Sequence, residues 1–228
     1  FSRSAERNLF DPAIYWHNDK FYLQYKGEDE PPNRDRKPPS VAADFVPLGS
    51  AISGDGVHWD DTGSTIIPGH IWSAHNGEQR FIAVYGQGVD GTHVFAESRD
   101  LVHWTPVDPK FTTYRDPRWY EPKGRWAEIW TVPRPGGGLY GYWGAALKGK
   151  IGMAMAESSD GINWRMLEPP SFIGVPQITN YTPEVSVVVE QGGKYYAIIT
   201  NTEASPIGPP VWGQVTLVAE SPFGPFRR

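Results

Sequence analysis

Three carboxylates in this 228-residue chain share a local setting. Asp11 stands in NLFDPAIYW, Asp116 in YRDPRWY and Glu184 in YTPEVSVVV, each next to a proline and beside aromatic or β-branched residues. They lie 105 and 68 residues apart, so only a fold that keeps returning to one place could join them. Such acids suit cleavage of a glycosidic bond, which needs a proton donor for the leaving oxygen and a second carboxylate as nucleophile or as base for water. A third can adjust the others. Like charges crowded into a pocket raise the pKa of the least compensated acid and keep it protonated, while hydrogen bonds and cations hold the rest ionised. Arg115, adjacent to Asp116, is a candidate for such a cation or for a contact to a sugar hydroxyl. Taken singly, Asp-Pro is a common turn initiator and a glutamate at a strand start is usually solvated. The repetition of one setting is what singles out the three.

Aromatic planes near these acids could pack against the C–H faces of a sugar, whose hydroxyls seek polar partners. Trp72, His75, Trp119, Tyr120, Trp143 and Tyr181 qualify by type, and Trp72 and Trp119 are favoured because each sits near an expected strand start. With Arg115, the residues Trp72, His75 and Trp119 form the candidate substrate-binding set. The six histidines lack metal-ligand spacing and the chain has no cysteine, so neither a metal nor another cofactor is expected.

The elements that must position these side chains are marked by a repeat. SGDGVHW (Ser53 to Trp59), SRDLVHW (Ser98 to Trp104) and SSDGINW (Ser158 to Trp164) share a serine, an aspartate two residues later and a closing tryptophan. SPFGPF (Ser221 to Phe226) keeps the serine and an aromatic end. The tryptophans are 45 and 60 residues apart, the size of a four-stranded propeller blade with insertions. Between the markers run short apolar or alternating stretches, among them KFYLQY, RFIAVYG, THVFAES, IGMAMAES, VSVVVE, KYYAIIT and VTLVAES. These read as strands, and Gly192-Gly193 as a hairpin turn. Residues 27–40 and PRPGGGLYGYWG (Pro133 to Gly144) read as loops, the second with aromatics able to line a ligand site. In a propeller the innermost strand of every blade runs along a central channel, so acids at equivalent blade positions can converge. Four markers leave three arrangements open: a four-bladed ring, a degenerate fifth blade, or a chain in which the fifth is incomplete.

Composition bounds the rest. With 39% hydrophobic residues, one domain spanning 1–228 is expected. The 25 glycines and 22 prolines punctuate a packed all-β fold, because aromatics are abundant too. A net charge of −5 with interspersed signs argues against nucleic acid as partner, and no apolar run reaches the roughly 20 residues a membrane helix needs. The opening FSRSAERNLF has no signal-peptide core, although a carbohydrate role points toward secretion or the periplasm. Oligomeric state is not legible.

The sequence also resembles the five-bladed β-propeller glycoside hydrolases of families 32, 43 and 68. DPAIYWHNDKFYLQY is similar to their first blade, YRDP to the Arg-Asp-Pro motif of families 32 and 68, and YTPEVSVVVEQGGKYYAII to the fourth-blade segment that carries the general acid. GSAISGDGVHWDD and IWSAHNGEQRFIAVYG are similar to second-blade segments of family 32. The resemblance implies an all-β, five-bladed propeller of four-stranded antiparallel blades, the last of them incomplete in this chain. It implies that Asp11 is nucleophile or general base, Asp116 a transition-state stabiliser on sugar hydroxyls, and Glu184 the general acid. The implied substrate is an oligo- or polysaccharide with β-fructofuranosyl or α-L-arabinofuranosyl units. Departures exist: NLFDPAI replaces the first-blade motif of family 32, and Glu184-Val185 replaces its Glu-Cys pair. A sugar-binding propeller without catalysis, and a sugar-transferring or phosphorolytic enzyme, are the rival readings.

Overall fold

In the computed structural model, the residues described are 8–28, 47–62, 70–73, 80–87, 92–148, 150–174, 184–203 and 211–228. Four antiparallel sheets follow one another along the chain, each built from consecutive strands. The first contains β1 (Asn8–His17), β2 (Lys20–Glu28), β3 (Pro47–Ser53) and β4 (Asp60–Asp61). The second contains β5 (Ile71–Ser73), β6 (Phe81–Gln87), β7 (His93–Ser98) and β8 (Thr105–Val107). The third contains β9 (Trp130–Pro133), β10 (Leu139–Leu147), β11 (Lys150–Ser158) and β12 (Arg165–Leu167). The fourth contains β13 (Glu184–Gln191), β14 (Lys194–Glu203) and β15 (Val211–Ala219), and the C-terminal segment adds a rung where Val218 and Arg227 exchange backbone hydrogen bonds of 2.8 and 3.0 Å. No helix occurs among the described residues. Among the described residues these sheets form four blades of a propeller, three of them four-stranded, and the expected fifth blade is not among them.

Each of the seven sequence-predicted strands coincides with a strand of this set, overrunning it by two residues at most. The loop expected over Pro133 to Gly144 is corrected: only Arg134–Gly138 turns, and Leu139–Leu147 is β10, nearly all buried. Its Gly141 has to be a glycine because a Cβ there would stand 2.8 Å from both Ile129 and Trp164. The glycine lets Ile129 and Trp164 close over β10, a pattern easily mistaken for loop composition. Of the loop expected over residues 27–40, Gly27 and Glu28 belong to the end of β2 and the remainder lies outside the described residues.

The repeat is a hydrogen-bonded turn. In its first copy the Ser53 hydroxyl accepts from the Asp55 and Gly56 backbone N–H groups and donates to Asp55 Oδ1, which in turn accepts from Val57 and His58. His58 Nδ1 meets the other carboxylate oxygen at 2.7 Å. Ser98-Asp100-His103 and Ser158-Asp160-Asn163 repeat the scheme. The short serine and aspartate side chains satisfy backbone donors that a tight turn would leave orphaned.

The closing aromatics then join neighbouring sheets. Trp104 (8% exposed) lies in the core shared by the first and second sheets, with Tyr22, Ile71, Phe81 and Ala83. Trp164 (2%) lies in the core of the second and third, edge-on to Trp72. Phe226 (0%) lies in the core of the third and fourth. Trp59, the first of the series, is in none of these cores, and no core cluster among the described residues joins the fourth sheet to the first. On those two sheets Ile14 (63%), Trp16 (52%), Val57 (69%) and Val189 (42%) remain exposed.

Candidate functional site

The first strands of the sheets, β1, β5, β9 and β13, are sheet edges, and β9 touches β13 directly while His70, at the start of β5, reaches Thr131 in β9. These edges therefore converge on the propeller axis, and their starting ends share one face of the ring. Two of them are bulged near those ends. In β1 the residues Asp11 and Pro12 together face Tyr25, between the pairs Phe10–Lys26 and Ala13–Gln24. In β13 the extra residue is Ser186, between the pairs Val185–Ile199 and Val187–Ile198, directly after Glu184–Thr200. A bulge leaves one residue out of the ladder and re-aims its neighbours, and Pro12 loses nothing there because it has no N–H to pair. The side chains of Asp11 and Glu184 lie outside the described set, as do His75 and Tyr181 altogether.

Asp116 belongs to the long connection between β8 and β9. Bridges from Tyr120 to Leu147 and from Trp126 to Ala145 lay this connection along the last residues of β10, which is the end at which β9 begins. Asp116 is buried, 4% exposed, at the head of a turn in which its carbonyl accepts from Trp119 and Tyr120. Its carboxylate receives the Arg118 guanidinium in a fork, Nε to Oδ1 at 3.0 Å and Nη2 to Oδ2 at 2.7 Å, and the Arg118 backbone N–H at 2.9 Å. These bonds to Arg118 hold its pKa at about 2, so the group is an anion over the ordinary pH range.

Arg115 does something else. Its guanidinium donates to the carbonyls of Glu121, Gly124 and Arg125 and lies 4.7 Å over the Trp126 ring, which ties the 121–125 segment together. The cation on Asp116 is Arg118, a residue the sequence reading did not single out. The signal was there in the turn: a residue two positions after an aspartate folds back onto its carboxylate, whereas an immediate neighbour in extended chain points away.

Another residue passed over is His93, at the start of β7. It is fully enclosed, donating from Nε2 to the Ala127 carbonyl at 2.6 Å and accepting at Nδ1 from the Thr113 hydroxyl at 2.6 Å. That hydroxyl also accepts the His93 backbone N–H at 3.2 Å. His93 thus pins both limbs of the connection that carries Asp116. Burial drives its pKa down to about 4, with the Arg115 charge adding to the effect.

Trp72 is corrected from a sugar platform to a core residue: it is 4% exposed, its Nε1 donates to the Gly161 carbonyl at 2.8 Å, and its ring is wedged against Phe95 and Trp164. Tyr120 and Trp143 are core residues as well. Trp119 is half-buried, with the Arg118 guanidinium 4.2 Å over its ring. Among the described residues no group of three histidines or acids could hold a metal ion.

No family model matches the chain, and no curated protein does. Solved structures do. An α-L-arabinanase of Cellvibrio cellulosa superposes with a TM-score of 0.61 at 14% identity, over 97% of this chain and 74% of that one. A glycosyl hydrolase from Bacteroides ovatus gives 0.59 at 17% identity, over 96% and 69%. An α-L-arabinofuranosidase from Clostridium thermocellum gives 0.54 at 16% identity, over 99% and 72%. At such identities the likeness is one of fold: this chain has the β-propeller architecture of those glycoside hydrolases.

Proposed function

We propose that this chain is a glycoside hydrolase that cleaves furanosidic bonds, with α-L-arabinofuranosides ahead of β-fructofuranosides because two arabinanases and an α-L-arabinofuranosidase occur among the structures of like fold. The observation that carries the reading is the pair of matching bulges near the starting ends of two axial strands, one at Asp11–Pro12 in β1 and the other at Ser186 in β13, two residues after Glu184. Glu184 protonates the leaving oxygen and Asp11 attacks the anomeric carbon or activates water. Asp116, held ionised by Arg118, accepts hydrogen bonds from ring hydroxyls and stabilises positive charge that develops on the sugar. A separation of about 5 to 5.5 Å between the Asp11 and Glu184 carboxyl groups goes with retention of configuration, and about 6.5 to 9.5 Å with inversion.

The ring reading includes a fifth sheet between the fourth and the first. Its support is internal: Trp104, Trp164 and Phe226 are buried against the preceding sheet, while Ile14 and Trp16 of the first sheet stand exposed. Turnover of 4-nitrophenyl α-L-arabinofuranoside and of a β-fructofuranosyl trisaccharide, beside Glu184→Gln and Asp11→Asn, tests the assignment. Loss in both variants supports hydrolysis at this site. Equal traces in all three proteins leave a sugar binder.

A further inference from the structure

His70 stands immediately before β5, at the starting end where the axial strands converge. Its successors show which way the seam runs: Ile71 enters the core shared with the first sheet and Trp72 the core shared with the third. His70 lies on the Trp72 side, against β9, with its ring 4.1 Å from that of Trp130 at 40°. The Thr131 backbone N–H donates to its Nε2 at 3.4 Å, and the Thr131 hydroxyl is at the same distance. A backbone N–H can only donate, so Nε2 is the unprotonated nitrogen and the proton sits on Nδ1. No described residue takes that proton, and His70 as a residue is half-buried. Burial keeps the ring neutral, with a pKa of about 4.

Resting on the hydrolase reading above, we infer that His70 Nδ1–H is a fixed hydrogen-bond donor to a furanoside hydroxyl in the axial channel, oriented by Thr131 on one side and Trp130 on the other. The donor is set before the sugar arrives. Thr131 fixes which nitrogen carries the proton and Trp130 fixes the ring plane, so little freedom is lost on binding. A neutral imidazole also brings no positive charge to the site. Neither a lysine nor an arginine would combine these properties.

The test pairs His70→Phe, which keeps a ring against Trp130 and removes the donor, with His70→Asn, whose amide places an N–H near the position of Nδ1. Binding of an α-L-arabinofuranosyl trisaccharide and of a β-fructofuranosyl trisaccharide is followed by calorimetry, and turnover separately. For whichever sugar binds, His70→Phe is expected to weaken Kd roughly 3- to 10-fold, the worth of one hydrogen bond, and His70→Asn to regain most of it. The change should appear in KM more than in kcat, with Tm of His70→Phe close to that of the unaltered chain. Unchanged affinity in His70→Phe, or His70→Asn binding as weakly as His70→Phe, overturns the assignment. So does an unaltered chain that binds neither sugar. If the unaltered chain binds without turnover and His70→Phe still loses affinity, the donor stands and the hydrolase reading falls.

Discussion

Asp11 and Glu184 occupy the same place in the first and fourth axial hairpins to within one residue. Both hairpins turn on two residues with positive φ, Asn18-Asp19 in one and Gly192-Gly193 in the other. Counting from those turns, Asp11 and Pro12 face Tyr25, the sixth residue of β2, and the bulge of β13 falls opposite Ile198 and Ile199, the fifth and sixth residues of β14. Two strands 173 residues apart thus carry the same irregularity at the same height, each beside an acid.

If these acids divide the work as proposed, their amide variants fail differently. Glu184→Gln should lower kcat on an oligosaccharide by about 10² to 10⁴, the usual worth of a positioned proton donor. It should lose much less on a 4-nitrophenyl glycoside, whose leaving group departs without protonation. Asp11→Asn should be inactive on both. Steady-state rates on the two substrates check this, and equal losses on both for Glu184→Gln would remove it from the donor role.

Arg118 and Arg115 separate chemistry from scaffold. Arg118→Met removes the fork on Asp116, and its carboxyl carbon, followed by NMR, should titrate clearly above the present value of about 2. Arg115→Met should leave that titration where it is and lower Tm, because three carbonyls lose a shared donor and Trp126 loses its covering cation. The reverse pattern would mean that the two arginines have been assigned backwards.

The repeat was legible because its turn chemistry is local: serine, aspartate and a closing tryptophan each act within seven residues, so spacing along the chain is spacing in the fold. Asp116 was legible as a turn aspartate for the same reason. Its partner was not, since Arg115 and Arg118 both flank it and only the turn decides which one folds back. Trp72 shows the other limit. A tryptophan at the start of an axial strand has a channel side and an inter-sheet side, and composition alone does not choose between them. His93 was invisible because its partners, Thr113 and Ala127, come from a connection with no strand pattern.

Trp72 as a core residue makes a prediction opposite to that of a sugar platform. Trp72→Phe deprives the buried Gly161 carbonyl of its donor and leaves space beside Phe95 and Trp164. A cost of about 2 to 3 kcal/mol in urea unfolding is expected, with KM unchanged in the folded fraction. A rise in KM at unaltered stability would return Trp72 to the substrate.

Two histidines set the acid side of the stability profile. His70 and His93 both have folded-state pKa values of about 4, lowered from 6.5 chiefly by burial. Above pH 6.5 each is neutral whether the chain is folded or not, and their contribution to stability is complete. Between pH 6.5 and 4 the unfolded chain takes up protons that the folded one refuses, so stability falls with pH by up to about 1.4 kcal/mol per unit for each histidine. Asp116, with its pKa held at about 2, adds nothing in this window and acts only below about 3.8, where its stabilising contribution is lost in turn. Urea midpoints at pH 7, 6 and 5 should decline accordingly. In His93→Gln the slope should be shallower by about one proton even though the variant starts from lower stability, because its amide does not titrate. A slope as steep as that of the unaltered chain would show that His93 accepts its proton in the folded state.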